Sequence, residues 1–198
     1  MKDVEHTQDQ GRNKLSDMGK KYFDLIEFDE QEELLLEVRK HWFGLFTIIV
    51  TGTIVSSAVL LIMFTAASGD FLKDVGLDNS RSLVAFTGYV IFLLSATITL
   101  ISAILYRSNV IYITNEKIAQ VLYLSVFNRK VSQLNIGDVQ DVTVQQKGIL
   151  ASTFNYGRLV IETAGEQQNY TFSFVPDPSQ AAKVIIQAHE VNLKLYGN

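Results

Sequence analysis

The chain has 198 residues, 47% hydrophobic and 19% charged, with 17 Lys and Arg against 21 Asp and Glu for a net charge of −4, and no cysteine. The missing cysteines exclude disulfides, thiolate metal sites and cysteine nucleophiles, and the acidic balance disfavours a nucleic-acid binder, which needs a basic field to release counterions. Charged residues are absent from Trp42 to Gly69 and from Ser82 to Tyr106, runs of 28 and 25 residues; about 20 apolar residues cross a bilayer core, so an ordinary soluble globular protein is excluded.

In chain order, residues 1–21 are polar and lack apolar periodicity, and residues 1–28 are expected to form a disordered acidic, polar tail. No apolar core follows the N-terminal charge within the first thirty residues, so no signal peptide is expected. Residues 29–41 form a juxtamembrane segment. Asp29 and Glu32 have the spacing of a capping box, and Leu34, Leu35, Val38 and Trp42 fit a helical stripe. Leu34–Val38 equally permits a short strand, and both readings stay open.

Residues 42–67 are expected to form a first transmembrane helix. Gly52 and Ser56 have the small-xxx-small spacing that allows close helix approach, and are read as packing residues of a two-helix hairpin. Residues 68–82 form an extracytoplasmic loop, and residues 83–106 a second transmembrane helix without an ionisable group at depth. That absence argues against a pump, transporter or voltage sensor, which mark their paths with such groups. The connecting loop holds 2 basic residues, against 7 before the first helix and 8 after the second. Basic residues collect on cytoplasmic flanks, so both termini are expected to be cytoplasmic in a multi-pass cell-membrane protein. Arg39, Lys40, His41, Trp42 and Tyr106 are the expected membrane-interface anchors.

From Asn109 the pattern alternates. Ile111 and Ile113, then Ile118, Val121 and Tyr123, predict two strands around a turn at Asn115–Glu116. Val126–Leu134, then Val139, Val142 and Val144, then Leu159, Ile161 and Thr163, then Tyr170, Phe172 and Phe174 continue the series. That is five or six short strands, the spacing of a compact antiparallel sandwich or barrel. Gly157 is expected in a turn of positive φ, and Ala164-Gly165 in a hairpin turn. Asp177-Pro178-Ser179-Gln180 is a helix start, with Asp as N-cap and Pro at the first position. Ala181, Val184, Ile185, Ala188, Val191 and Leu195 then form one apolar face, expected to close the open end of the strands.

Catalytic motifs are missing. There is no phosphate-binding Gly-x-x-x-x-Gly-Lys-Ser/Thr loop and no Gly-x-Ser-x-Gly elbow. His189-Glu190 begins the zinc pattern His-Glu-x-x-His, but position 193 is Leu193, and His189 is read as a helix-surface residue. Asn169-Tyr170-Thr171 matches a glycosylation sequon by chance, in a cytoplasmic domain. No enzyme, metal or cofactor is expected.

Strands closed by one C-terminal helix are the pleckstrin-homology (PH) architecture. Tyr112-Ile113-Thr114-Asn115, Leu134-Asn135-Ile136 with Asp138-Val139-Gln140-Asp141-Val142, Asn155-Tyr156-Gly157-Arg158 through Gly165, and Phe174-Val175-Pro176-Asp177-Pro178 are similar to bacterial membrane proteins with a YdbS-like PH domain. Val38-Arg39-Lys40-His41-Trp42 is similar to that family's stretch before its first membrane helix. The resemblance implies an α+β membrane protein: a two-helix transmembrane hairpin, then a PH-like antiparallel β-barrel or sandwich over residues 107–198, capped by a C-terminal helix.

Phosphoinositide-binding PH domains cluster basic residues around the first hairpin. Here that hairpin offers Lys117, with Arg107 nearby and Arg129 and Lys130 later; these four are the candidate lipid-headgroup contacts, and basic side chains guarding a strand edge are the plainer reading. The function expected is a non-catalytic, membrane-tethered binding or scaffold module on the cytoplasmic face. Its partners would be the lipid bilayer and an unidentified protein or peptide, with homo-oligomerisation left open and no nucleic acid. The alternatives are a small channel or transporter subunit of oligomerised hairpins and an accessory subunit of a membrane enzyme.

Overall fold

The computed structural model describes residues 26, 32–68, 73, 76, 80–163 and 170–196. The chain divides into two compact units. One takes in the chain up to Phe43 together with Leu105–Asn198; the other is Gly44–Ile104.

Among the described residues the first unit holds seven strands. β1 (Leu34–Arg39), β2 (Val110–Thr114), β3 (Lys117–Ser125) and β4 (Asn128–Asn135) form one antiparallel sheet in that order. β5 (Val139–Gln145), β6 (Tyr156–Thr163) and β7 (Tyr170–Pro176) form a second. The sheets do not close into a barrel. A 3-10 turn at Ile136–Asp138, fixed by the Gly137 amide donating to the Asn135 side chain at 2.8 Å, passes the chain from the first sheet to the second instead of pairing β4 with β5.

β1 settles the reading of the segment before the helices: it is a strand. Arg39 pairs with Val110 and Val38 with Ile111, so a strand from before the helical hairpin becomes the edge of a sheet built after it. Sequence spacing favoured neither helix nor strand because Leu34–Val38 is too short to separate the two periods. Tertiary pairing decides it. The proposed Asp29 cap lies outside the described residues, and Glu32 is engaged elsewhere, in an ion pair with Lys117.

β2 is covered on both faces and is buried at every position, whereas β4 is buried only at Leu134. Val38, Ile111, Ile113, Ile118 and Leu134 face Leu159, Ile161, Phe172 and Val175 of the second sheet. On the outer face Leu34, Val110, Tyr112, Ala119 and Val121 gather around Ile26, which is 4% exposed. Ile26, within the expected disordered tail, is a buried packing residue. The rest of that tail lies outside the described residues.

A short helix, α3 (Ile149–Thr153), connects β5 to β6, and α4 (Pro178–Tyr196) closes the unit. The expected start of α4 is present: the Gln180 amide donates to the Asp177 carboxylate at 3.2 Å. Ala181, Ala182, Ile185 and Ala188 are buried, whereas Val191 and Leu195 are 51% and 70% exposed. The docked face therefore ends earlier than the apolar pattern. His189 is not a plain surface residue, since its Nδ1 lies 2.7 Å from the Ile136 carbonyl and ties α4 to the 3-10 turn.

The second unit comprises most of α1 (Trp42–Ser68) and α2 (Arg81–Arg107), each 27 residues long and apolar enough to cross a membrane. Ser56 meets Ser95 at 2.5 Å. A Cβ on Gly52 would overlap the Thr99 side chain, and one on Gly88 would lie 2.5 Å from Met63 Cβ. The small residues thus sit between the two helices, as expected of a hairpin. Thr53, Thr97, Thr99 and Ser102 return their hydroxyl protons to the carbonyl four residues earlier, so none needs water. The connecting segment is described only at Lys73, Gly76 and from Ser80 onward.

Candidate functional site

The chain leaves the first sheet at Arg39 and re-enters it at Val110, neighbouring positions on adjacent strands. At this end of the unit the side chains turn aromatic. Phe43 stacks on Phe154 and on Tyr156, with ring centroids 5.2 and 5.1 Å apart, and Trp42 meets Phe154 edge-on at 5.4 Å. Tyr156 stacks in turn on His41 and on Phe174. Offset and edge-on pairs at these distances each add to simple area burial.

Backbone constraints hold the cluster. The His41 amide donates to the Phe174 carbonyl at 2.7 Å, bridging the end of β1 to β7. Phe174 itself takes φ 58°, and Asn155, at the start of β6, takes φ 49°. Positive φ is costly for a residue with a Cβ and persists only where the surroundings impose it. Asn155, not Gly157, thus supplies the left-handed turn. Gly157 lies within β6, and its lack of a side chain serves close approach: a Cβ there would stand 2.8 Å from the Gln145 carbonyl oxygen.

His41 is polarised in one sense. Its Nδ1 accepts the Phe43 amide proton at 3.1 Å, which leaves Nε2 as the protonated nitrogen. Burial lowers its pKa from the ordinary histidine value, only partly opposed by a hydrogen bond to the Phe154 backbone. Lys40 lies with Nζ 5.2 Å from the centre of the Tyr106 ring, and burial lowers its pKa as well.

The two aromatic residues expected to mark one membrane interface are placed differently. Trp42 is 55% exposed, while Tyr106 is 9% exposed, with its hydroxyl donating to the His41 carbonyl at 2.7 Å. Nor do the four candidate headgroup contacts form one patch. Arg107, Arg129 and Lys130 are exposed at one end of the sheet: Arg129 pairs with Tyr123, whose amide donates to the Asn109 side chain two residues beyond Arg107. Lys117 begins β3 at the opposite end, with Nζ 2.9 Å from the Glu32 carboxylate and a side chain only 14% exposed. It belongs to the second hairpin of the sheet; the connection of the first, between β1 and β2, is the helical segment itself.

Beside the aromatic cluster lies an open cleft of about 310 Å³, whose lining includes Lys147, Arg158, Tyr156, Gly157, Ser173 and Phe174. Lys147 and Arg158 are exposed cations at its mouth, and Tyr156 and Phe174 give it an aromatic wall. Such a cleft suits a small anionic group carried on an apolar or planar body. Sequence reasoning passed over both cations. Arg158 stands in the Asn-Tyr-Gly-Arg run and Lys147 directly before Gly148, where φ is 95°, but neither is close in sequence to the other, and only the pairing of β6 with β5 (Arg158 opposite Gln145) brings them together.

A family model described as "Bacterial PH domain" matches residues 45–189. Among solved structures, a DUF1696 family protein with a pleckstrin-homology domain from Shewanella loihica PV-4 is similar at 12% identity and a TM-score of 0.35, over 41% of this chain and 70% of that one. No curated protein is significantly similar.

Proposed function

The chain belongs to the bacterial PH domain family, and from that premise we propose that it is a non-catalytic binding module tethered to the cytoplasmic face of the cell membrane. The observation that carries the reading is the pairing of β1 with β2 across two 27-residue apolar helices. If both helices cross, the chain returns to the side it left, and both termini share that side. The lysine and arginine bias then makes it the cytoplasmic side. The ligand seat is the cleft edged by Lys147 and Arg158, and the ligand offers it an anionic group.

Two measurements on the full chain test this. The native sequence has no cysteine, so single-cysteine variants report topology cleanly. Lys73→Cys is expected to react with an impermeant reagent in intact cells and Lys194→Cys only after permeabilisation; labelling of Lys194→Cys from outside overturns the orientation. In native mass spectrometry from mild detergent, the chain is expected to retain phosphatidylglycerol over phosphatidylcholine, and Lys147→Gln with Arg158→Gln to lose that preference. Equal retention of both lipids by the parent chain removes the anionic seat.

A further inference from the structure

Three of the unit's connections reach the same end. The first is the passage through Phe43 and Leu105 to and from the apolar helices. The second is the β3–β4 hairpin. β2 runs away from Asn109 and β3 returns antiparallel, so at Tyr123 the chain is level with Asn109 again, its amide bonded to that side chain at 2.7 Å. The hairpin then continues past this level on the Arg107 side. Leu124 and Ser125 at about 3.3 Å each, with the two-residue turn beyond the Ser125–Asn128 pair, make a projection of roughly 10 Å. Its tip is apolar and bare: Leu124 is 57% exposed, Val126 53% and Phe127 99%. Arg129 and Lys130 follow at its base. The third connection is α3, whose Ile149 and Leu150 are 85% and 54% exposed. Its last flank, Phe154, packs on Trp42 and Phe43, where α1 begins.

A soluble protein seldom leaves a phenylalanine wholly in water at a hairpin tip and an isoleucine 85% exposed on another connection. Both projections share the rim where the apolar spans begin and end, and the basic pair stands one step back from the tip, the order of an interfacial element: apolar side chains below the headgroups, cations among them. We propose that Phe127 at the β3–β4 tip and Ile149 of α3 are inserted into the headgroup–acyl boundary of the leaflet that receives α1 and α2. The module is thereby seated against its own membrane at two points as well as tethered to it, and the cleft beside α3 faces the headgroup layer. This rests on the membrane-tethered reading above.

The test is depth measurement by spin label in proteoliposomes of phosphatidylethanolamine and phosphatidylglycerol, using the full chain with one cysteine at a time. Phe127→Cys and Ile149→Cys replace exposed side chains, so neither disturbs the core. Leu61→Cys reports the middle of α1, and Asp138→Cys, exposed in the 3-10 turn, reports the end of the unit that carries Lys117. The labels at 127 and 149 are expected to collide more often with oxygen than with a water-soluble nickel chelate, as the label at 61 does, whereas the label at 138 shows the reverse. If 61 behaves as an aqueous site, the tethered reading fails and takes the seating with it. If 61 is in lipid but 127 or 149 matches 138, the two-point seating is overturned and the tether stands.

Discussion

Glu32→Ala is expected to lower the stability of the PH unit by about 3–5 kcal/mol, the usual cost of removing one partner from a buried ion pair. The Glu32 side chain is fully buried, and its carboxylate engages both Lys117 and Thr114. One oxygen lies 2.9 Å from Lys117 Nζ, the other 2.6 Å from the Thr114 hydroxyl. Thr114 is itself fully buried and accepts the amide protons of Lys117 and Glu116 at 2.9 and 3.2 Å. Its single proton has two acceptors in reach, the Glu32 carboxylate and the Lys117 carbonyl at 2.9 Å, and the nearer, charged one takes it. Next to it, the Glu33 amide donates to the Asn115 side chain at 2.8 Å and the Asn115 amide to the Glu33 carbonyl at 3.2 Å. Together these bonds clamp the start of β1 onto the β2–β3 turn.

The measurement is chemical denaturation of the full chain in mild detergent, followed by near-UV circular dichroism, which reads the packed aromatic side chains. Glu32→Gln keeps an acceptor for Thr114 and loses only the charge, so its cost is expected to be smaller. Glu32→Leu combined with Lys117→Met removes both charges of the pair, and Thr114 can turn its proton to the Lys117 carbonyl. That double variant is expected to recover most of the loss. A Glu32→Ala midpoint equal to the parent's would show that the clamp contributes nothing net.

The apolar helices and the strands after them were legible in the sequence because each has its own local signature: uninterrupted hydrophobicity in Trp42–Ser68, period-two alternation in Val110–Thr114 and Tyr156–Thr163. The start of α4 was legible for the same reason, since Asp177 and Pro178 act within one turn. What escaped was everything decided by pairing across the helices. β1 is short, ambiguous in period and separated from its partner β2 by the whole hairpin, so nothing local marks it as an edge strand. The domain expected over residues 107–198 therefore lacks a strand of its own sheet, together with Glu32, Val38 and Ile26. The candidate headgroup residues split for a related reason. Lys117 and Arg129 are near in sequence, but a strand of nine residues puts them at opposite ends. The apolar exposure of Phe127 and Ile149 has no sequence signal either, since an apolar residue at a turn reads the same whether it folds inward or stands free.

Ile185→Ala is the second substitution with a large expected effect, about 2–5 kcal/mol for a large aliphatic side chain truncated in a packed core. Ile185 is fully buried and belongs to the cluster that joins Ile113 and Ile118 of the first sheet to Leu159 and Phe172 of the second. Its neighbours on α4, Ala181, Ala182 and Ala188, are small, which lets the helix lie close to the sheets. For the same reason none of them can expand to fill the space that truncation leaves, so the site collapses poorly and the cost is expected in the upper part of that range. Leu195 supplies the control. It continues the apolar face in sequence but is 70% exposed, so Leu195→Ala is expected to stay within about 0.5 kcal/mol of the parent. Thermal unfolding of both variants in the full chain, read in the near-ultraviolet, separates a docked helix from one that merely looks amphipathic. Equal midpoints for the two would show that α4 does not close the unit through Ile185, and a loss at Leu195 as large as that at Ile185 would place a further packing surface on the last turns of the helix.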